Sequence, residues 1–243
     1  MQSYNMKPTM NRRFFFILSR ALFFLGVVIS LLLSVIAIWN NFESTSYYFT
    51  GVKHDPFQGL RCPIMIGPFE GGIVTAVFNN STNEEDNFYY RAEISGRSFS
   101  TRKIEEHIAV PPGQAKNIRI TVDAHDIDLL FFILIKITIL PNSVRSTQET
   151  TCGIMVINLL GLTGSQISTS AIFLSFAAMA AGLGLWPQTS DKAERTQRYI
   201  VPTLGFAVLF TLLAASMSWY AVAIVLAIVI ILLLLISMRF AWV

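Results

Sequence analysis

Two cysteines, Cys62 and Cys152, are the only thiols in a chain of 243 residues. They lie far apart and form no C-x-x-C pair, so their spacing points to a structural disulfide and not to redox chemistry. There are three histidines, His54, His107 and His125, and two of them stand beside acids: His54 next to Asp55, and His125 next to Asp126 and close to Asp128. Imidazole and carboxylate together can ligate a metal, but no H-x-x-x-H, H-E-x-x-H or Cys/His cluster supports a site. They read as solvated loop residues. The run Glu84-Glu85-Asp86 offers hard oxygen ligands of the kind calcium takes, without the spacing of an EF-hand. Asn79-Asn80-Ser81-Thr82 contains two overlapping N-x-S/T sequons, which matter only in a eukaryotic secretory route. There is no nucleophile elbow, P-loop or dinucleotide-binding glycine pattern. No catalytic, cofactor-binding or metal-ligating residue is therefore assigned, no cofactor is expected, and the chain is expected not to be an enzyme.

The elements that carry these residues divide sharply by polarity. The chain is 53% hydrophobic and only 14% charged, against about a quarter charged in a typical soluble domain. Residues 1–20 form a flank whose charges are Lys7, Arg12, Arg13 and Arg20. An uncharged run follows at 21–39, close to the ~20 residues needed to cross a bilayer. It is longer than the apolar core of a signal peptide and lacks a small-x-small exit, so it reads as a retained anchor. Residues 40–60 show no period and read as a juxtamembrane linker. Three further uncharged runs, 167–186, 199–218 and 221–238, read as membrane spans, with a basic loop at 187–198. The basic flanks place both termini in the cytoplasm and residues 40–166 outside it, in the cytoplasmic (plasma) membrane of its host. No basic run with interleaved aromatics marks a nucleic-acid partner.

The stretch 61–160 alternates in the manner of strands. Val74, Ala76 and Phe78 share one face, as do Tyr90, Ala92 and Ile94, and then Ile118, Ile120 and Val122. Polar turns separate these segments at 81–87 and at Pro111-Pro112-Gly113-Gln114. The β-branched run 129–140 carries Lys136 and is too short for a span, and 150–160 closes the series. About seven strands at roughly 8–12-residue spacing are the signature of a sandwich or barrel. The segments VTAVFNNSTNEEDNFYYRAEIS and IAVPPGQAKNIRITV resemble immunoglobulin-like or fibronectin-type sandwich modules of exported bacterial proteins. The expected fold is thus an α+β membrane protein: four transmembrane helices with an all-β, immunoglobulin-like sandwich inserted between helices 1 and 2. Such modules host many roles, so the resemblance names no function.

In an exported stretch the two cysteines can pair, near its start and its end. A bridge closing about 90 residues stabilises by about 4–5 kcal/mol in the chain-entropy model. The expected spans carry no ionisable residue away from their ends, which argues against a self-contained carrier. The run 167–186 sets small residues four apart: Ala177 with Ala181, Ala178 with Gly182, and Ala180 with Gly184. Such faces let helices approach closely, within one chain or between chains. These features lead to the expectation of an accessory or scaffold protein. Its partners would be the lipid bilayer and a membrane or envelope protein, with no nucleic acid and no small-molecule ligand. An accessory subunit of a multi-chain transport complex is the alternative.

Overall fold

The computed structural model describes residues 9–49, 54–57, 59–140, 146–159, 161–185, 203–208, 210–211, 214 and 220–241. The chain divides into two compact units, Trp39–Ser168 and Met1–Ile38 with Thr169–Val243.

The unit Trp39–Ser168 holds every strand found among the described residues. In order these are β1 (Asp55–Pro56), β2 (Leu60–Arg61), β3 (Met65–Ile66), β4 (Gly72–Asn79), β5 (Asp86–Gly96), β6 (Ser100–Val110), β7 (Ala115–Val122), β8 (Phe132–Ile139) and β9 (Gln148–Val156). They form two sheets. The larger runs β1-β9-β8-β5-β6, with β3 also on β9, and the smaller runs β2-β4-β7. β5, β6, β8 and β9 pair antiparallel, whereas β1 and β3 pair with β9 in parallel.

The core lies between the sheets, and alternation builds it. β4 turns in Val74, Ala76 and Phe78, and β7 turns in Ile120 and Val122. Facing them are Phe88, Tyr90, Ala92 and Ile94 of β5 and the four isoleucines 133, 135, 137 and 139 of β8. Phe78 packs its ring on both Phe88 and Tyr90, with centroids 5.5 and 5.4 Å away. β8 is buried on both faces, which explains why its sequence reads as one nearly continuous apolar run. The second cover is the end of α1 (Thr9–Tyr47). Ser44 donates to the carbonyls of Ile135 (3.2 Å) and Cys152 (2.9 Å), and the Asn40 amide donates to Ile64 O at 2.7 Å. Gly153 is required here, because a Cβ at that position would run into the Asn40 carbonyl. Residues 40–47 are therefore helical, although the sequence reads them as linker.

α2 (Gly164–Leu185) begins in the same unit with a capping box. Gln166 N donates to Thr163 Oγ1 (3.2 Å), and Thr163 N donates to Gln166 Oε1 (3.1 Å). Glu70 reaches across from the β3–β4 turn. Its Oε2 accepts from Gly67 N (2.9 Å) and from Gly164 N (2.6 Å), setting a carboxylate on the positive end of the helix.

In the other unit α1 and α2 pack antiparallel. Ser19 Oγ donates to Gly182 O (2.9 Å), Ser175 Oγ donates to Gly26 O (2.8 Å), and the Ser30 and Ser175 hydroxyls are hydrogen-bonded. Phe23, Val27 and Met179 meet Leu204, Val208 and Ile230 in a small apolar core. Ile230 belongs to α3 (Tyr220–Ala241).

Two expectations of fold are corrected. Four transmembrane helices, and with them a four-span multi-pass arrangement, are not supported. Among the described residues two helices are long and apolar enough to cross a membrane, Ile17–Tyr47 (31 residues) and Gly164–Leu185 (22 residues). The segment expected as the last span, 221–238, lies within the helix α3, and its apolar stretch among the described residues is Val222–Leu233. The expected span 199–218 lies mostly outside the described residues, and the flank 1–8 and the loop 187–198 lie wholly outside them. The seven-stranded immunoglobulin-like sandwich is likewise replaced by a mixed six-stranded sheet and a three-stranded one. Two-residue strands such as β1 and β3 have no period to read, so their parallel pairing on β9 leaves no mark in the sequence.

Candidate functional site

The cysteines come together. Cys62, between β2 and β3, is bonded to Cys152 of β9, with Cα atoms 6.5 Å apart and a sequence separation of 90. β2 belongs to the smaller sheet and β3 to the larger, so the bridge sits where the chain crosses between sheets.

Beside this crossing, a cavity of about 330 Å³ opens between the sheets. Its apolar wall is Phe57, Val77, Phe88 and Ile139, and its polar groups are Arg61, Asn79 and Gln148. Gly59 completes the lining, close under Phe57 and the Val77 carbonyl, where a Cβ has no room. The strands explain this mixture. Arg61 and Asn79 sit at exposed positions of β2 and β4, while Phe88 and Ile139 face the core. An aromatic wall with a cation and two amide side chains can bind a small anionic or hydrogen-bonding group. None of the cavity residues except Asn79 was singled out by sequence, because their contacts come from strands far apart in the chain.

The outer face of the large sheet carries charge in ordered rows. Register aligns Thr151, Lys136, Glu93 and Lys103 across β9, β8, β5 and β6, and one step on Glu149, Thr138, Arg91 and Glu105. Lys136 Nζ meets Glu149 Oε2 at 3.0 Å, Lys103 meets Glu93 at 3.5 Å, and Arg91 Nε meets Glu105 Oε1 at 2.5 Å. Tyr89 donates to Glu105 Oε2 (2.5 Å). Hydrogen bonds from Tyr89 and Arg91 hold the Glu105 carboxyl below the usual glutamate range. Tyr90 is pushed up to about 12 by burial and by its hydrogen bond to Glu106. Burial also raises Tyr48, whose hydroxyl donates to the carbonyls of Glu93 and Leu134.

The histidines remain apart. His54 lies 4.0 Å from Glu149, His107 stacks on Tyr89, and His125 pairs with Asp123 at 3.1 Å. Asp126 is instead gripped by Arg102 through Nε (3.1 Å) and Nη2 (2.8 Å). Among the described residues no three His, Cys, Asp or Glu side chains gather as metal ligands. Glu84 and Glu85 are exposed, whereas Asp86 is buried at the start of β5. The two sequon asparagines differ as well. Asn79 is exposed, but Asn80 is fully buried. Asn80 donates to the carbonyls of Glu84 and Val110 and accepts from Thr82 N and Oγ1.

Of the small residues on α2, Ala178 and Gly182 are buried, and Gly182 lies against Phe23 and Ser19. Ala177, Ala180, Ala181 and Gly184 are exposed, and a Cβ at Gly184 would meet open space.

No protein-family model and no curated protein matches the chain. Among solved structures, a Paenibacillus sp. cycloisomaltooligosaccharide glucanotransferase shares 13% identity over 42% of this chain and 14% of that chain, with a TM-score of 0.32. A Bacteroides uniformis β-glucuronidase shares 8% identity over 40% of this chain and 12% of that one, also at 0.32. The chain spans only these small fractions of the proteins it resembles, and likeness at this level assigns neither fold nor activity.

Proposed function

We propose that this chain is a membrane-anchored accessory or scaffold protein that holds a disulfide-closed β unit on the non-cytoplasmic side of a membrane. The Cys62–Cys152 bridge, in a unit joined to two helices of spanning length, carries the reading. Disulfides persist in oxidising compartments, and a stretch between two spans lies wholly on one side. The basic flank, with Lys7, Arg12 and Arg13, favours a cytoplasmic amino-terminal side. The recognition surface in this reading is the cavity at Phe57, Arg61, Asn79 and Gln148, and its partner is a membrane or envelope protein.

The test uses full-length protein in cell membranes. Alkaline carbonate is expected to leave it in the pellet, and non-reducing gels to show the bridge in membranes prepared with thiol trapping. A photo-crosslinker at Asn79 is expected to capture a partner, and Arg61→Glu to abolish that capture while the bridge still forms. Extraction by carbonate, or free thiols at Cys62 and Cys152 in the cell, would refute the anchored, exported reading.

A further inference from the structure

Several of the exposed apolar side chains in the β unit gather at one end. Register defines that end: Phe132 pairs with Met155, Met65 pairs with Met155, and Ile66 pairs with Val156. Backbone hydrogen bonds from Val156 N to Phe131 O (2.7 Å) and from Ile157 N to Ile66 O (3.0 Å) extend it. Three loops meet there. The 67–70 turn presents Phe69, which is 95% exposed; the 129–131 tip presents Leu130, 92% exposed, and Phe131; the 157–162 segment presents Leu159 and Leu162.

The 129–131 tip is built to show its leucine. Asp128 and Phe132 bond backbone to backbone in both directions (2.8 and 3.0 Å), which forces Leu129 and Leu130 to φ of 44° and 73°. A left-handed backbone is costly for leucine and needs a surrounding structure that imposes it. Here Tyr47 donates to Asp128 Oδ2 (2.9 Å), and Leu129 N donates to Asp128 Oδ1 (2.9 Å).

Both helical segments of this unit attach at the same end. Asn40 bonds Ile64 O just before β3, and Gly164 is bonded by Glu70 one residue after Phe69. Trp39 and Phe42 on the first segment are also exposed. The opposite end, with 81–85 and 111–114, is polar, and its residues are largely exposed. At the apolar end Asp123 is paired with His125, and Asp126 with Arg102.

We propose that this apolar end is a membrane-seating collar: Phe69, Leu130 and Phe131, with Leu159 and Leu162, insert into the boundary between lipid headgroups and acyl chains. The inference rests on the membrane-anchored reading. The occupant is lipid and not protein because the two helical segments attached at this end run on along the chain into helices of spanning length. Aromatic and leucine side chains at the rim of a spanning helix suit that boundary, and an apolar face buries there by about 5–10 Å. Strain at Leu129 and Leu130 then serves to aim a leucine outward.

The experiment places an environment-sensitive fluorophore on Phe69→Cys, Leu130→Cys and, at the polar end, Glu84→Cys, in full-length protein reconstituted into phosphatidylcholine vesicles. Formation of the Cys62–Cys152 bridge, checked on non-reducing gels, confirms folding of each variant. The fluorophore at 69 and 130 is expected to be blue-shifted and quenched several-fold by lipids bearing a nitroxide near the top of the acyl chain. The one at 84 is expected to be quenched by aqueous iodide alone. Iodide quenching at 69 and 130 equal to that at 84, in protein that resists carbonate extraction, overturns the collar while leaving the anchored reading intact. It would make this end a protein-docking surface. Protein that floats free of the vesicles overturns both.

Discussion

Lys136 of β8 and Glu149 of β9 meet at 3.0 Å on the outer face of the large sheet, with the lysine side chain 9% exposed and the glutamate 21%. A charge this enclosed is tolerated because its partner lies on the neighbouring strand. Removing one partner strands the other. Glu149→Gln is expected to destabilise the β unit by roughly 3 kcal/mol, the lower end for such pairs because Glu149 retains some solvent. The double change Lys136→Met with Glu149→Leu is expected to recover most of that loss. Denaturant unfolding of the two variants decides it, and equal losses would contradict it.

The disulfide acts mainly on the unfolded chain. Replacing Cys62 and Cys152 together by serine is expected to lower stability by about 4–5 kcal/mol, since the bridge closes 90 residues. The same shift should appear when wild-type protein is unfolded with and without reductant.

Much of the β unit was legible. Segments 72–79, 88–96 and 116–122 declare themselves because every second side chain is apolar and the core takes those positions. The disulfide was legible because a chain with two thiols leaves one intramolecular pairing. Residues 40–47 were not legible as helix: Asn40, Ser44 and Thr45 are polar in order to bond the sheet, not water, and composition alone cannot tell these apart. The cavity escaped notice because Phe57, Phe88, Ile139 and Gln148 meet only through pairing.

Glycines on α2 should respond according to what lies over them. A side chain at Gly182 meets Phe23 Cβ and N at 2.7 Å and Ser19 O at 2.8 Å, whereas Gly184 faces open space. Gly182→Val is expected to cost about 1–3 kcal/mol by overpacking, and Gly184→Ala to be neutral or stabilising by up to about 1 kcal/mol through helix propensity. Unfolding in mixed detergent micelles measures both.

Acid should loosen the outer face through Glu105. Its carboxyl is held below the ordinary value of 4.5, first by the Tyr89 hydrogen bond and then by Arg91. A depressed folded pKa contributes stability that is present above pH 4.5 and is lost as pH falls through the lower folded value. Glu105→Gln is therefore expected to flatten the decline of stability below pH 4.5. An unchanged acid limb would show that other carboxylates govern it.

Asn80 makes the first sequon asparagine more available than the second. Its amide and carbonyl are both engaged, so Asn80→Ala is expected to cost about 1–3 kcal/mol by leaving buried backbone carbonyls unpaired. In a glycosylating host, site mapping by mass spectrometry of folded protein is expected to find sugar at Asn79 and none at Asn80.

Glu70 also ties the start of α2 to the β3–β4 turn. The first amide of α2, at Gly164, is closed by a carboxylate 94 residues earlier in the chain. That carboxylate is in place only once the β3–β4 turn is formed. During synthesis α2 emerges after every strand of the β unit, so this long-range cap joins its start to a turn made far earlier in the chain.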